Sequence, residues 1–439
     1  MAHFRFNLFH DHVTVGNVDK KRLKIGKLLI FACFFMYMCS MAVKGVFAAE
    51  ISYIQKLWSI GYTQTSVVNA SYFITYGLVQ VFIFIFARKM NMRRYLLFTV
   101  PLSAVCAILM GTSSDVMQMC AYFGLAGALQ AGIFCGCNFI LTKYLPTQQL
   151  TTANRFMNFG YSIGSVIAYL LCAMCVTYDL WQLPYFILGG IFLVSVILFL
   201  VIAKHAERYL HLNEILDARK TNKKVVREEA EDETIVNIDT KKKTAIFYIL
   251  DLSFTFIISA IYYCIMNNLT PLLAKEFGLG ESVAIYISII APIAITIGPM
   301  ITISACNKDN DFIRQSCIFT LMILPIPLFL AFFYKASLIL TLALTLIFVV
   351  LANGVKAVGL SIITFKMRKQ LNSGAYSAIS NAAASVSAGV TPTLIGTVLD
   401  NFGWKSAYLV TFTITLIFLI ALIIVDLLVR KANKKRKTL

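Results

Sequence analysis

Two lysines lie deep within long apolar stretches of the sequence, where an ammonium group can bind an anion. Lys44 follows Leu28, the start of the first stretch, by roughly 24 Å of helix. A charged amine near the middle of a bilayer costs about 2.5–3.5 kcal/mol on insertion scales. We therefore expect Lys44 to face a wet cavity and bind an anion there. The alternatives are a lysine that snorkels outward or one that pairs with Glu50.

Lys356 is the second cation of this kind and follows Asn353 by three residues. It could form a second anion contact, pair with Asp251, or snorkel towards the cytoplasm. Snorkelling is the interpretation that the sequence favours.

The composition explains why these charges are exceptional. Of the 439 residues, 59% are hydrophobic and 14% are charged, whereas a soluble domain is about one-quarter charged. Apolar runs near twenty residues recur along the chain and predict an all-α protein that crosses the membrane many times. The net charge of +18 comes from clusters between these runs, which is typical of cytoplasmic loops and argues against nucleic-acid binding.

Twelve spans are predicted, each long enough to cross a bilayer. They are residues 28–49, 66–86, 95–113, 116–141, 156–178, 181–203, 244–266, 282–305, 316–334, 336–362, 375–399 and 406–425. With the N-terminus inside, the inner loops hold 33 Lys and Arg and the outer loops hold four. This asymmetry predicts two cytoplasmic termini on a multi-pass protein of the cell membrane, such as a bacterial inner membrane.

The predicted domain organisation is two six-helix bundles joined by a polar linker. The segments are a cytoplasmic tail (1–27), the first bundle (28–203), a cytoplasmic linker (204–243), the second bundle (244–425) and a basic cytoplasmic tail (426–439). An offset of 223 residues aligns Trp181 with Trp404 and Tyr185 with Tyr408. This internal repeat predicts pseudo-symmetric halves with a binding site between them near the middle of the membrane.

A loop near the end of the chain resembles a signature of the major facilitator superfamily. The run from Gly396 to Trp404 is similar to that family's Gly-x-x-x-Asp-x-x-Gly-Trp motif. The loop from Arg88 to Arg94 is similar to its Asp-Arg-x-Gly-Arg-Arg motif, with Arg88 in place of Asp. The resemblance implies a twelve-helix transporter fold.

Within the superfamily, the first half is similar to the organophosphate:phosphate antiporters and other organic anion carriers. Lys44 stands where those carriers have a phosphate-gripping Arg, and Tyr37 lies near their first-span tyrosines. Gln80 replaces a Lys in the run that contains Tyr76, and Tyr161 replaces a His.

The resemblance also places Tyr263 near the family's second phosphate-gripping Arg. Three basic or imidazole groups of the family are therefore replaced, which favours a carboxylate or singly charged anion over a phosphate ester. A tyrosine hydroxyl can donate to a carboxylate without a second buried charge; a packing role is the alternative. Gln130 and Asn381 are uncharged polar residues that we expect to line the cavity, since such groups either line cavities or hold helices together.

Acidic side chains are scarce within the spans. Asp251 is the only carboxylate that we place inside one, which makes it a candidate for ion coupling. A proton-coupled carrier generally needs a buried carboxylate that titrates. The centre of the fourth span holds Gln130 instead, so exchange or facilitated transport is favoured over proton symport, although Asp251 or Glu50 could serve.

The sequence predicts a secondary transporter in the lipid bilayer that carries a small organic anion by alternating access, and the family resemblance implies that it acts as a monomer. No metal, cofactor or catalytic residues are predicted, because all five His lie in polar segments and no phosphate-binding loop is found. Two alternatives stay open: efflux of amphipathic drugs, and a membrane sensor that does not transport.

Overall fold

The computed structural model describes residues 20–86, 92–145, 147–220, 238–306, 312–358, 360 and 373–437. All regular structure in these ranges is helical, because a helix satisfies its own backbone hydrogen bonds where lipid offers none. The first half contains α1 (Lys20–Leu57), α2 (Tyr62–Phe86), α3 (Met92–Met110), α4 (Val116–Gln130), α5 (Ile133–Tyr144), α6 (Thr147–Val176) and α7 (Leu183–Lys220).

The second half has the same overall plan with more interruptions. It contains α8 (Ile238–Met266), α9 (Leu269–Pro271), a π-helical turn (Leu272–Glu276), α10 (Glu281–Ser288), α11 (Ile290–Cys306), α12 (Phe312–Ile323), α13 (Pro325–Phe333), α14 (Leu338–Ala357) and α15 (Ser373–Lys437).

Twelve membrane crossings account for these helices. Within the described residues, eleven helical stretches are long and apolar enough to cross a membrane, and the last, Ile379–Leu428, has 50 residues. At about 1.5 Å per residue it is roughly 75 Å long, more than twice a hydrocarbon layer of about 30 Å. Gly403 interrupts it with φ of 73°, a left-handed conformation that suits a residue without Cβ. Its two arms therefore cross separately, and the predicted all-α membrane fold is confirmed.

Helical structure continues beyond the predicted apolar spans at several ends. Helix α7 runs to Lys220, inside the predicted linker (204–243), and α15 runs to Lys437, inside the predicted basic tail (426–439). Most of the predicted N-terminal tail (residues 1–19) and the middle of the linker (residues 221–237) lie outside the described residues. The predicted domain boundaries stay predictions.

Each half has its own hydrophobic core. The larger core comes almost wholly from α1–α7 and the other from α8–α15. Between the halves, α2 packs along α15, and α6 packs against α10 and α11. These are equivalent pairs under the internal repeat. Large apolar side chains such as Phe82 and Phe98 remain exposed on the outer surface, where a bilayer would cover them.

The aromatic pairs aligned by the repeat occupy matching positions at the starts of the sixth and twelfth spans. The rings of Trp181 and Tyr185 lie 6.2 Å apart, and those of Trp404 and Tyr408 lie 5.8 Å apart. All four side chains are buried. The internal repeat in the sequence therefore corresponds to the same aromatic packing in both halves.

Small residues allow the helices to approach closely, which is how helices associate where lipid removes the hydrophobic driving force. At Gly127 of α4, a Cβ would collide with the backbone carbonyl of Tyr72 and lie 2.9 Å from the Thr75 hydroxyl. Gly190 of α7 has nothing within 4 Å of such an atom.

We expect Gly127→Ala to destabilise the protein and Gly190→Ala to leave it unchanged or slightly more stable. Overpacking costs about 1–3 kcal/mol, whereas alanine at an open helical position gains about 0.5–1 kcal/mol. Thermal unfolding of the purified variants in detergent would show this order. Equal midpoints for the two variants would contradict the close contact between α2 and α4.

Candidate functional site

A cavity of about 60 Å³ lies between the two halves, where α1, α2 and α6 face α8 and α11. A volume of this size holds a few water molecules. Its lining consists of Met41, Lys44, Gly45, Ala48, Asn69, Phe73, Tyr161, Ser165, Tyr169, Tyr262, Tyr263, Met266, Asn267, Pro292 and Ile295. Of the predicted site residues, Lys44, Tyr161 and Tyr263 are therefore in the wall of the cavity.

Lys44 points into this cavity against a group of aromatic rings. Its ammonium nitrogen lies 4.3 Å from the ring centroid of Phe73, 5.2 Å from that of Tyr72 and 5.9 Å from that of Tyr161. The face of an aromatic ring attracts a cation by about 0.5–2 kcal/mol. The rings therefore hold the ammonium group in the cavity without neutralising its charge.

Glu50, the alternative partner of Lys44, lies elsewhere. It is fully buried and interacts with Cys172 of α6 and Tyr185 of α7, inside the first bundle. Across the described part of the chain, no carboxylate oxygen lies within 4.0 Å of the Lys44 ammonium nitrogen. Lys44 is thus a cation in a cavity without an acidic partner.

Lys356 turns towards the same region from α14 instead of snorkelling towards the membrane surface. Its ammonium nitrogen donates to the Tyr263 hydroxyl at 3.4 Å. It also lies 4.7 Å from the ring centroid of Tyr263 and 5.0 Å from that of Tyr262. The described residues provide no ion pair for it either, since Asp251 is buried on α8 away from the cavity lining.

One aromatic contact connects the two lysines. The rings of Phe73 and Tyr263 lie 5.6 Å apart and join α2 of the first half to α8 of the second. Lys44 lies over the first ring and Lys356 over the second. The two positive charges act on each other across this contact.

Gln130 supports the cavity but does not line it, contrary to our expectation. Its buried side-chain oxygen accepts hydrogen bonds from the Ser40 hydroxyl at 3.1 Å and the Tyr72 hydroxyl at 2.8 Å. These bonds tie α1, α2 and α4 together and fix the ring of Tyr72 beside Lys44. Gln130 is therefore a positioning residue.

The remaining predicted residues also lie outside the cavity lining. Gln80 donates to the carbonyl of Ala131 at 3.4 Å, at the break between α4 and α5. The ring of Tyr76 stacks on Tyr72 with centroids 5.8 Å apart, and its hydroxyl interacts with Asn381.

Tyr37 packs against Phe134, with ring centroids 5.3 Å apart. Tyr76 and Tyr161 are close neighbours of Tyr37, so Tyr37 lies beside the cavity that Tyr161 lines.

Several lining residues were missed from the sequence, among them Asn69, Phe73, Tyr169 and Tyr262. A helical spacing could have identified some of them. Asn69 and Phe73 lie four residues apart on α2, and Tyr161, Ser165 and Tyr169 follow the same step on α6, which places each set on one helix face.

Hydrogen bonds join the two halves on the side of the molecule opposite to the start of α1 and the end of α15. There the Asp400 carboxylate accepts hydrogen bonds from the backbone N–H groups of Tyr62 and Thr63, both at 2.8 Å, and from the Thr63 hydroxyl at 2.6 Å. An acid of the second half thus caps the N-terminus of α2 in the first half. The equivalent pair of helices is joined by the Thr177 and Ser282 hydroxyls, 2.7 Å apart.

An ion pair within the second half lies on this same side of the molecule. Lys335 lies 2.9 Å from the Glu276 carboxylate, which also accepts a hydrogen bond from Tyr334 at 3.1 Å. The hydrogen bond and charge of Glu276 raise the pKa of the Lys335 ammonium above its ordinary value.

Two six-helix halves around a central cavity define a membrane transporter fold. Residues 33–370 match the sequence profile of the Major Facilitator Superfamily, and the chain belongs to this family. No curated protein matches the sequence closely enough to be counted as a relative.

Solved transporter structures share this fold at low sequence identity. A bacterial homolog of the human lysosomal transporter Spinster, in an inward-facing and unoccupied conformation, has a TM-score of 0.68 at 13% identity, covering 93% of this chain and 96% of its own. The nucleoside transporter NupG has a TM-score of 0.63 at 12% identity, covering 90% and 98%. The organophosphate antiporter branch has no support from these comparisons, and the family assignment stops at the superfamily.

We expect Asp400→Ala to loosen the start of α2, because two backbone N–H groups lose their acceptor. Loss of an N-cap costs about 0.5–2 kcal/mol, so the amides of Tyr62 and Thr63 should exchange with deuterium faster. Peptide-resolved hydrogen exchange would measure this.

Asp115→Ala is the matched control, because Asp115 caps α4 within its own half through the Gln118 N–H at 2.9 Å. It should accelerate exchange at the start of α4 alone. Unchanged exchange at Tyr62 and Thr63 in Asp400→Ala would show that this carboxylate does not hold the two halves together.

Proposed function

We propose that this chain transports a small organic anion across the membrane by alternating access. The two halves separate first on one side and then on the other, and the cavity between them binds the anion. Lys44 provides the charge, the Tyr263 hydroxyl provides a donor, and the rings of Phe73 and Tyr161 contact the apolar part of the anion.

The observation that carries the proposal is the Lys44 ammonium group in a cavity where none of the described carboxylates pairs with it. A charge at this depth is unfavourable unless it is solvated or paired. Rings attract the cation but carry no compensating charge. A bound anion therefore gains a strong, charge-assisted contact at this position.

Exchange of one anion for another is the mode that this electrostatic arrangement favours. When the site is empty and the halves close, the Lys44 charge in the cavity and the Lys356 charge beside its wall have no counter-ion among the described residues, whereas a bound anion compensates them. The loaded carrier then changes conformation more readily than the empty one. Such a carrier moves anions mainly in exchange.

A second candidate function is efflux of amphipathic compounds. Aromatic side chains line the cavity, among them Tyr161, Tyr169 and Tyr262, and such rings bind flat apolar compounds. Neutral or cationic amphipaths would meet an uncompensated ammonium group there, which disfavours them.

Lys44→Gln should lower anion counterflow at least about tenfold, since a hydrogen bond to a charged group contributes about 1.5–3 kcal/mol. Proteoliposomes preloaded with unlabelled anion would be assayed with the labelled mono- and dicarboxylates that stabilise the wild-type protein in a thermal-shift screen. Lys56→Gln removes an exposed lysine from the same helix and should leave counterflow unchanged.

Lys44→Arg retains the charge and should preserve part of the activity. Wild-type counterflow in Lys44→Gln would show that Lys44 does not bind the transported anion. If no anion binds the wild-type protein and a lipophilic dye is transported instead, the organic anion proposal is wrong and the efflux function takes its place.

A further inference from the structure

We infer that the transported anion carries two separate negatively charged groups, one bound by Lys44 and the other by Lys356. This inference rests on the proposed function, because it concerns the anion that the central cavity would bind. It narrows the carboxylate or singly charged anion expected from the sequence to an anion with two charges, because that expectation depended on a single usable cation.

The position of Lys356, the second cation, is the observation that leads to a substrate with two charges. Lys356 belongs to α14 of the second half, and its hydrogen bond to the Tyr263 hydroxyl directs it towards a residue in the cavity wall. The side chain is neither fully exposed nor fully buried. Lys356 therefore lies next to the cavity wall, on the half of the molecule that does not carry Lys44.

The two ammonium groups are separated by aromatic rings. Lys44 lies 4.3 Å from the Phe73 centroid and Lys356 lies 4.7 Å from the Tyr263 centroid, while the two rings are 5.6 Å apart. A single carboxylate bound by Lys44 over Phe73 would leave the Lys356 charge over the neighbouring ring without a counter-ion among the described residues. Two anionic groups joined by a short carbon chain would contact both ammonium groups, with the chain lying against Phe73 and Tyr263.

Charge balance supports the same conclusion. Over the described residues, neither lysine has a carboxylate partner within 4.0 Å, and the two charges repel each other. A monoanion would neutralise one charge and leave the other in a closing, poorly hydrated cavity. A dianion neutralises both, so the loaded cavity has no net charge when the halves move.

Each half would then contribute one charged contact to the same molecule. A dianion that spans the interface attracts Lys44 and Lys356 towards each other and favours closure of the halves around it. A monoanion binds mainly to one half and favours closure less. The preference for dianions should therefore be larger in transport than in equilibrium binding.

The test compares carboxylates that differ only in the second charge. Wild-type proteoliposomes would be assayed for counterflow of labelled succinate against butyrate, and of glutarate against pentanoate. We expect the dicarboxylate of each pair to be preferred by at least about tenfold, the effect of one charged hydrogen bond. Lys356→Gln should lower dicarboxylate counterflow by at least about tenfold more than monocarboxylate counterflow, which removes this preference.

Two control variants test whether the effect is specific. Lys335→Gln makes the same charge change at the exposed Glu276 pair outside the cavity and should keep the dicarboxylate preference. Lys356→Arg keeps the charge and should restore most of it. If Lys356→Gln is too unstable to reconstitute, the wild-type preference and the Lys356→Arg result still decide the question.

The outcomes separate this inference from the proposed function. Equal wild-type transport of mono- and dicarboxylates, or a Lys356→Gln variant that keeps the dicarboxylate preference, would overturn the two-charge substrate and leave anion transport standing. Equal loss of both substrates in Lys356→Gln would assign Lys356 a structural role and also overturn the inference. If the wild-type protein transports no carboxylate at all, both the inference and the proposed function fail.

Discussion

Uncompensated positive charge at the centre of the membrane is the constraint on which the site depends. The Lys44 ammonium lies against the rings of Phe73 and Tyr72, and no acid of the described chain neutralises it. A protein that needed only a stable core would gain by replacing such a lysine with an apolar residue, because burying an unpaired charge is costly. Its presence is therefore most simply explained by a mobile counter-charge that enters the cavity.

The architecture of the protein suits the alternating access that we propose. Each half buries its own core, so the halves can move without unfolding. The contacts between them include, besides the packing of α2 along α15, polar bonds at one end, such as Asp400 with the start of α2, and aromatic packing near the cavity, such as Phe73 with Tyr263. Contacts of these kinds can form and break with less loss than an interdigitated apolar core.

The sequence predicts the fold well because lipid imposes simple rules on composition. The lengths of the apolar runs predict the membrane spans. The match of Trp181 and Tyr185 with Trp404 and Tyr408 reveals the duplication. Lys44 could be found because a charge among apolar residues is conspicuous. Tyr262 could not, because an aromatic ring facing a cavity has the same sequence appearance as Phe82, which faces outward. Lys356 and Gln130 were misjudged for a related reason: the direction of a long side chain depends on neighbouring helices, which spacing along one helix does not specify.

The hydrogen bonds of Gln130 have a consequence for how substrate would be retained. One amide oxygen joins Ser40 of α1 to Tyr72 of α2, while Gln130 itself belongs to α4. Three helices of the first half are thereby held together around the lysine, so that wall would keep its shape if the proposed movement carried the opposite wall away. A bound molecule would keep its contacts with the first half through the whole transport cycle. Its release would then depend on water entering between the separating surfaces, while the hydrogen bonds of the pocket stay intact.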